Sequence, residues 1–199
     1  DVLFVKKEYT DPTYPFLHTA DYPDVLSPYF DSLTTAPDLV FVLIESSGKA
    51  YSGQDAYLGI FTPFLDSLEP HSFVWTNAIS SPGRTFGILP GLFAGLPYGE
   101  RGFLDLYEDF PHHESLISIL NNNGYESGFF IGWDVSFDHQ KEFLEYSEIS
   151  LTIDIDDFDP KYEKMPSANG FSWGYGDKEI FNNGLSFFPK NNEGEAIDN

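Results

Sequence analysis

Three features of this chain carry residue types that could do chemistry: an acid closing an apolar run, a hydroxyl opening a helix, and two tryptophans each joined to glycine and a carboxylate. Glu45 ends the run Asp38-Leu39-Val40-Phe41-Val42-Leu43-Ile44, and Ser46-Ser47-Gly48 then turns the chain. A carboxylate there reads either as a solvated strand end, since carboxylates are seldom buried alone, or as a hard oxygen ligand for a divalent cation. Gly83-Arg84-Thr85 opens a helix. Thr85 suits a local N-cap; the same geometry also places its hydroxyl where unpaired amides attract an anionic phosphate, with Arg84 able to stabilise developing charge. Gly132-Trp133-Asp134 and Ser172-Trp173-Gly174-Tyr175-Gly176-Asp177 are each explained by core packing with flanking turns. The competing reading makes Trp133, Asp134 and Trp173 the wall of a pocket for a polar head group.

Two other clusters look chemical and are set aside. His112-His113-Glu114 follows Pro111 and precedes a helix. Adjacent histidines diverge by about 100° on a helix and point to opposite faces of a strand, so a solvated helix start is expected. Asp154, Asp156, Asp157 and Asp159 suggest a calcium loop, but the EF-hand pattern needs a glycine and a glutamate where Asp159 and Met165 stand. An acidic surface loop is the expectation.

The elements that must position these residues follow from the apolar spacing. Residues 38–44 read as a strand covered on both faces, Thr62–Leu68 as a short helix with Pro63 at its first position, and Ser72–Asn77 as a strand. Thr85–Leu96 has helical spacing in Phe86, Ile88, Leu89, Leu92 and Phe93, with Pro90 either kinking it or lying near its start. Glu114–Asn123 carries a buried stripe of Leu116, Ile117, Ile119 and Leu120 and ends on Gly124. Tyr125–Ile131 is a third strand, and Phe137–Tyr146 and Asp177–Phe187 are helices. This alternation predicts an α/β fold with a mostly parallel sheet flanked by helices. Sites in such sheets form at the carboxyl ends of strands, which aims Glu45, Trp133 and Asp134 at one edge. Residues 1–36, rich in X-Pro pairs and aromatics, read as a strap, 37–188 as the catalytic body and 189–199 as a polar tail.

Composition narrows the function. Ten Lys plus Arg against 32 Asp plus Glu leave a formal charge of −22, which repels nucleic-acid phosphates and anionic lipid. Twenty Phe and 12 Tyr supply enough apolar area for a packed core, so disorder is not expected over most of the chain. With no cysteine, disulfide scaffolds, zinc ribbons and thiol nucleophiles are excluded. No apolar run reaches the roughly 18 residues of a membrane span, so any membrane anchor is expected outside these residues.

PDLVFVLIESSGKAYSG, TPFLDSL, GRTFGILPGLFAGLP, SLISILNNNGYESGFFIGWDVSFD and FSWGYGDKEIF occur in that order between Asp38 and Leu185. Together they resemble the extracytoplasmic catalytic domain of the lipoteichoic acid synthase family, within the alkaline phosphatase and sulfatase superfamily. The resemblance implies that Glu45 and Thr85 bind a divalent metal, Mn or Mg ahead of Zn, and that Thr85 is the nucleophile. It implies transfer of a phosphoglycerol or related phospho-head group from a phospholipid to an envelope glycan or glycolipid acceptor, through a phospho-threonine intermediate. Arg84, Trp133, Asp134 and Trp173 fall among the substrate-binding positions. The implied location is the outer face of the bacterial cytoplasmic membrane, with anchoring by transmembrane segments outside this chain.

Such families complete the metal site with an Asp-His pair on a strand beyond the Trp-Gly-x-x-Asp segment. The pair present here, Asp138-His139, falls in the helix after the third strand and is not given that role. The residues are therefore expected to be roughly the first half of a catalytic domain, whose full metal site needs ligands absent from this chain. Two alternatives stand beside the transferase: a sulfatase or phosphodiesterase hydrolase, and a noncatalytic envelope binding module.

Overall fold

The computed structural model describes residues 10–13, 23–31, 35–80, 87–96, 112–167 and 169–187. The chain divides into two units, Asp1–Ser46 and Ser47–Asn199. In the first, a 3-10 turn spans Ser27–Tyr29, held by Asp24, whose Oδ1 accepts the backbone N–H groups of Leu26 and Ser27. Residues 38–44 are exposed and belong to no strand. The same holds for Ser72–Asn77 in the second unit, where Phe73, Val74 and Trp75 are exposed. Apolar, β-branched composition makes a segment competent for a strand, but only a neighbouring strand supplies the ladder. Among the described residues the sheet consists of two other strands, and neither run joins it.

Those strands are β1 (Gly128–Phe130) and β2 (Leu151–Ile153), parallel, with Gly128 opposite Leu151, Phe129 opposite Thr152 and Phe130 opposite Ile153. Parallel neighbours need a crossover, and the chain between them supplies a 3-10 turn at Phe137–His139 and helix α4 (Gln140–Tyr146). The expected single helix over 137–146 is thus broken, because Asp138 and His139 take left-handed backbone at φ 52° and 60°. The sequence reading missed β2, whose three residues run straight into the acidic stretch.

Numbering in chain order, α1 is Pro63–Leu68, α2 Ile88–Ala94, α3 Leu116–Asn122 and α5 Asp177–Leu185. Pro90 sits at the third position of α2, where its missing N–H has no intrahelical acceptor to lose, so it does not kink the helix. Gly95 at φ 62° ends α2. At the start of α3 the Ser115 hydroxyl accepts the Ser118 N–H at 3.0 Å while Ser118 Oγ accepts the Ser115 N–H at 3.0 Å, a reciprocal cap.

Alternate residues of β1 face two cores. Phe129 and, just past the strand, Ile131 join Leu89, Phe93, Ile117, Phe143 and Leu144, drawn from α2, α3 and α4, together with Val135 of the turn after β1. Phe130 faces the other way, with Ile153, Phe158, Tyr175 and Ile180 of α5. This two-residue alternation puts helices on both faces of the sheet. His113 is half-buried rather than fully solvated, its ring stacked 4.6 Å from Tyr146 and 5.9 Å from Phe143.

Ahead of these layers, Asp66 of α1 organises the loop before it. Its Oδ1 accepts hydrogen bonds from Ser52 Oγ (3.0 Å), Gly53 N–H (3.0 Å) and Thr62 Oγ1 (3.1 Å). The Gly53 amide, opposed by partial desolvation and helped by the Ser52 and Thr62 hydroxyls, holds the carboxyl below its ordinary pKa. Thr62 therefore reaches a side chain in α1 and makes no side-chain cap to the backbone.

Candidate functional site

The carboxyl ends of β1 and β2 open onto two loops that lie far apart in sequence. The first is Gly132-Trp133-Asp134, directly after β1; the second is 172–176, which leads into α5. They meet backbone to backbone. Tyr175 N–H donates to Gly132 O at 2.8 Å, and Ile155 N–H, just past β2, donates to Trp133 O at 3.3 Å. The approach is closer than any side chain would permit. A Cβ on Gly132 would lie 2.5 Å from Tyr175 O, and one on Gly174, whose φ is +102°, would collide with Gly132 O. The two Trp-Gly-carboxylate segments of the sequence are thus two sides of one strand edge.

Each loop is pinned. Phe137 N–H donates to Asp134 O at 3.1 Å and Ser136 N–H to Asp134 Oδ1 at 2.8 Å, closing a turn that carries Asp134 and Phe137 together. Val135 N–H donates to Asp154 Oδ2 at 3.2 Å, tying this turn to the acidic stretch after β2. That stretch closes its own turns: Asp154 N–H donates to Asp157 Oδ2 at 3.1 Å and Lys161 N–H to Asp159 Oδ1 at 2.9 Å. In the second loop Ser172 Oγ donates to Met165 O at 2.8 Å, and Met165 N–H donates to Gly174 O at 2.7 Å.

Trp133 is half-buried against the Leu89–Leu144 core, with its indole Nε1–H buried and without a hydrogen-bond partner. Asp134 is exposed, and the Ser136 side chain and N–H, with Lys141 adding charge, hold its carboxyl below the ordinary range. It is therefore an ionised acceptor near neutral pH. Trp173 stands 55% exposed, edge-on to Phe137 (6.0 Å between ring centroids, 88° between planes) and to Phe171 (4.9 Å, 89°). Tyr175 turns inward and stacks on Phe158 at 4.1 Å.

The edge as a whole offers an ionised acceptor and exposed aromatic side chains, which is equipment for holding a polar ligand rather than for breaking a bond. Glu45 lies in the first unit, exposed, on a turn where Ser46 has φ 58°. Arg84 and Thr85 lie outside the described residues. Among the described residues no three His, Asp or Glu side chains gather into a metal-binding group. Sequence reasoning paired neither the two loops nor Phe137 and Phe171 with Trp173. The signal was the repeated Trp-Gly adjacency, which makes room for backbones to touch.

A family model described as Sulfatase matches residues 37–196. A solved structure of a protein in the alkaline phosphatase superfamily from Vibrio parahaemolyticus is similar with a TM-score of 0.52 and 20% identity. The likeness covers 62% of this chain and 29% of that one, so the chain spans well under half the length of the protein it resembles. At that identity the likeness speaks to the fold, and it agrees with a small parallel sheet between helices. No curated protein matches the sequence.

Proposed function

The chain belongs to the sulfatase family, and from that premise we propose that it serves a transferase moving a phosphoglycerol or related phospho-head group from a phospholipid to an envelope acceptor. The family and the alkaline phosphatase superfamily around it consist largely of enzymes. The observation that carries the finer reading is the joined loop edge. The exposed Asp134 carboxylate at that edge suits a head-group hydroxyl.

Thr85 is the proposed nucleophile. Its Oγ attacks phosphorus, the bond from phosphorus to the diacylglycerol oxygen breaks, and diacylglycerol leaves carrying a proton. The resulting phospho-threonine diester is resolved when an acceptor hydroxyl attacks phosphorus and Thr85 regains its proton. Arg84 would stabilise the charge that develops on the phosphoryl oxygens. A divalent cation, when bound, would screen the phosphate charge. Glu45 and Thr85 offer two hard donors, whereas such ions take about four to six, so the described residues do not build its site and no step is routed through it. The proposed location is the outer face of the bacterial cytoplasmic membrane, where the lipid donor resides. No helix among the described residues is long and apolar enough to cross a membrane.

The test is turnover of a fluorescent phosphatidylglycerol by the natural gene product that carries these residues, compared with Thr85→Ala. Diacylglycerol release is expected to fall by about three orders of magnitude or more in a variant that melts normally. Wild-type turnover in the folded variant would return Thr85 to a capping residue. Free glycerol phosphate as sole product, in the presence of acceptor, would make the enzyme a hydrolase using water.

A further inference from the structure

Asparagine is followed by glycine three times in the chain, at Asn123-Gly124, Asn169-Gly170 and Asn183-Gly184. Glycine has no side chain to keep its backbone nitrogen away from the carboxamide carbon of the residue before it, which makes this pair the most reactive setting for an asparagine. Attack of that nitrogen on Cγ closes a five-membered succinimide, breaks the bond from Cγ to Nδ2 and releases ammonia. Water then opens the ring at either carbonyl, leaving aspartate or isoaspartate. One water is consumed and one ammonia released for each residue converted, with no change of oxidation state.

The fold treats the three pairs differently. Asn183 and Gly184 are buried inside α5, where the intrahelical ladder engages the Gly184 N–H. Asn123 closes α3: its Nδ2 donates to Ile119 O at 2.8 Å and Gly124 N–H donates to Asn121 O at 3.0 Å, so the leaving group and the attacking nitrogen are both tied down. Asn169-Gly170 has neither restraint. Both residues are exposed, and among the described residues no hydrogen bond reaches the Asn169 carboxamide or the Gly170 N–H. A Cβ on Gly170 would meet nothing within 4 Å, so the ring has open space in which to close.

The turn itself demands the reactive pair. Asn169 at φ 55° and Gly170 at φ 79° take left-handed backbone in succession, which Asn and Gly adopt at least cost. The neck of this loop is fixed, since Met165 N–H donates to Gly174 O at 2.7 Å and Ser172 Oγ to Met165 O at 2.8 Å. Rotation that brings Gly170 N onto Asn169 Cγ can therefore stay at the tip and leave the neck closed.

We propose that Asn169-Gly170 is a site of spontaneous succinimide formation in the folded protein, converting Asn169 to aspartate and isoaspartate. Each conversion adds a negative charge, and isoaspartate also adds a methylene to the backbone of the loop that carries Phe171 and Trp173. The proposal is independent of the transfer reading.

The experiment incubates the natural gene product that carries these residues in warm, mildly alkaline buffer, and in parallel in guanidinium chloride. Each Asn-Gly peptide is then followed by mass spectrometry, with isoaspartate distinguished from aspartate by electron-transfer fragmentation. In the native protein Asn169 is expected to convert at least about tenfold faster than Asn123 or Asn183, which must wait for local opening. Isoaspartate and aspartate should both appear, as ring opening at two carbonyls requires. In denaturant the three rates should fall within about threefold of one another, because the restraints on Asn123 and Asn183 are gone. The proposal is overturned if native Asn169 converts no faster than either of the other two, or if its product is aspartate alone. It is equally overturned if Asn169 keeps its full lead in denaturant, since local sequence rather than the fold would then select it.

Discussion

Replacing Gly174 by alanine tests the loop crossing that builds the candidate site. Three costs follow from its geometry. At φ +102° an L-residue is strained by about 1–2 kcal/mol. The new Cβ collides with Gly132 O and lies 3.0 Å from Ile155 Cδ1, and since the first obstacle is backbone, relief requires the two loops to part, at about 1–3 kcal/mol. Parting them also breaks the bond from Tyr175 N–H to Gly132 O, at about 1 kcal/mol. The sum is about 3–6 kcal/mol, a large share of a typical domain's stability. At about 2–4 °C per kcal/mol the melting point should drop by about 6–24 °C. Gly170→Ala is the matched control, because Gly170 has φ +79° but nothing within 4 Å of its Cβ position, leaving only the conformational strain. Urea unfolding and thermal melts of both variants give the comparison. Equal destabilisation of the two would mean that the close approach does not exist in solution.

Two further outcomes follow from single side chains. Ser115→Ala removes the hydroxyl that accepts the Ser118 N–H at the start of α3, while the N–H of residue 115 keeps Ser118 Oγ, so urea unfolding should show a loss of about 1 kcal/mol, with Ser115→Asp recovering most of it. Asp66 has a folded pKa below its unfolded one, so its contribution is present above the unfolded value and is lost as pH falls through the folded value. Unfolding measured from pH 6 down to about pH 2 should therefore show a slope below about pH 4 that flattens in Asp66→Asn.

Local signals in the sequence located the helices well and the sheet poorly, for a physical reason. Pro63 and Gly124 act within a turn or two of where they stand, and α1 begins and α3 ends beside them. Strand identity depends on a partner. The run 38–44 has stronger strand composition than Leu151–Ile153, yet the latter is β2, because α4 returns the chain beside β1. Trp133, Asp134 and Trp173 stand out by type, and the strand-edge rule expects the first two just past the end of a strand, where β1 leaves them. Their junction could not be read, since it is made by two glycines whose backbones touch across the fold. The proposed nucleophile, Thr85, rests on its motif alone, as it lies outside the described residues.

The claim at the centre of this account is a covalent phospho-threonine at Thr85. The direct measurement is mass spectrometry of the natural gene product, acid-quenched within the first turnovers on phosphatidylglycerol without acceptor and digested to peptides. The account predicts a mass gain of one phosphoglycerol unit on the peptide containing Gly83-Arg84-Thr85, localised by fragmentation to Thr85 and absent from Thr85→Ala. An adduct on any other residue, or rapid turnover with no adduct on that peptide at any quench time, would contradict it.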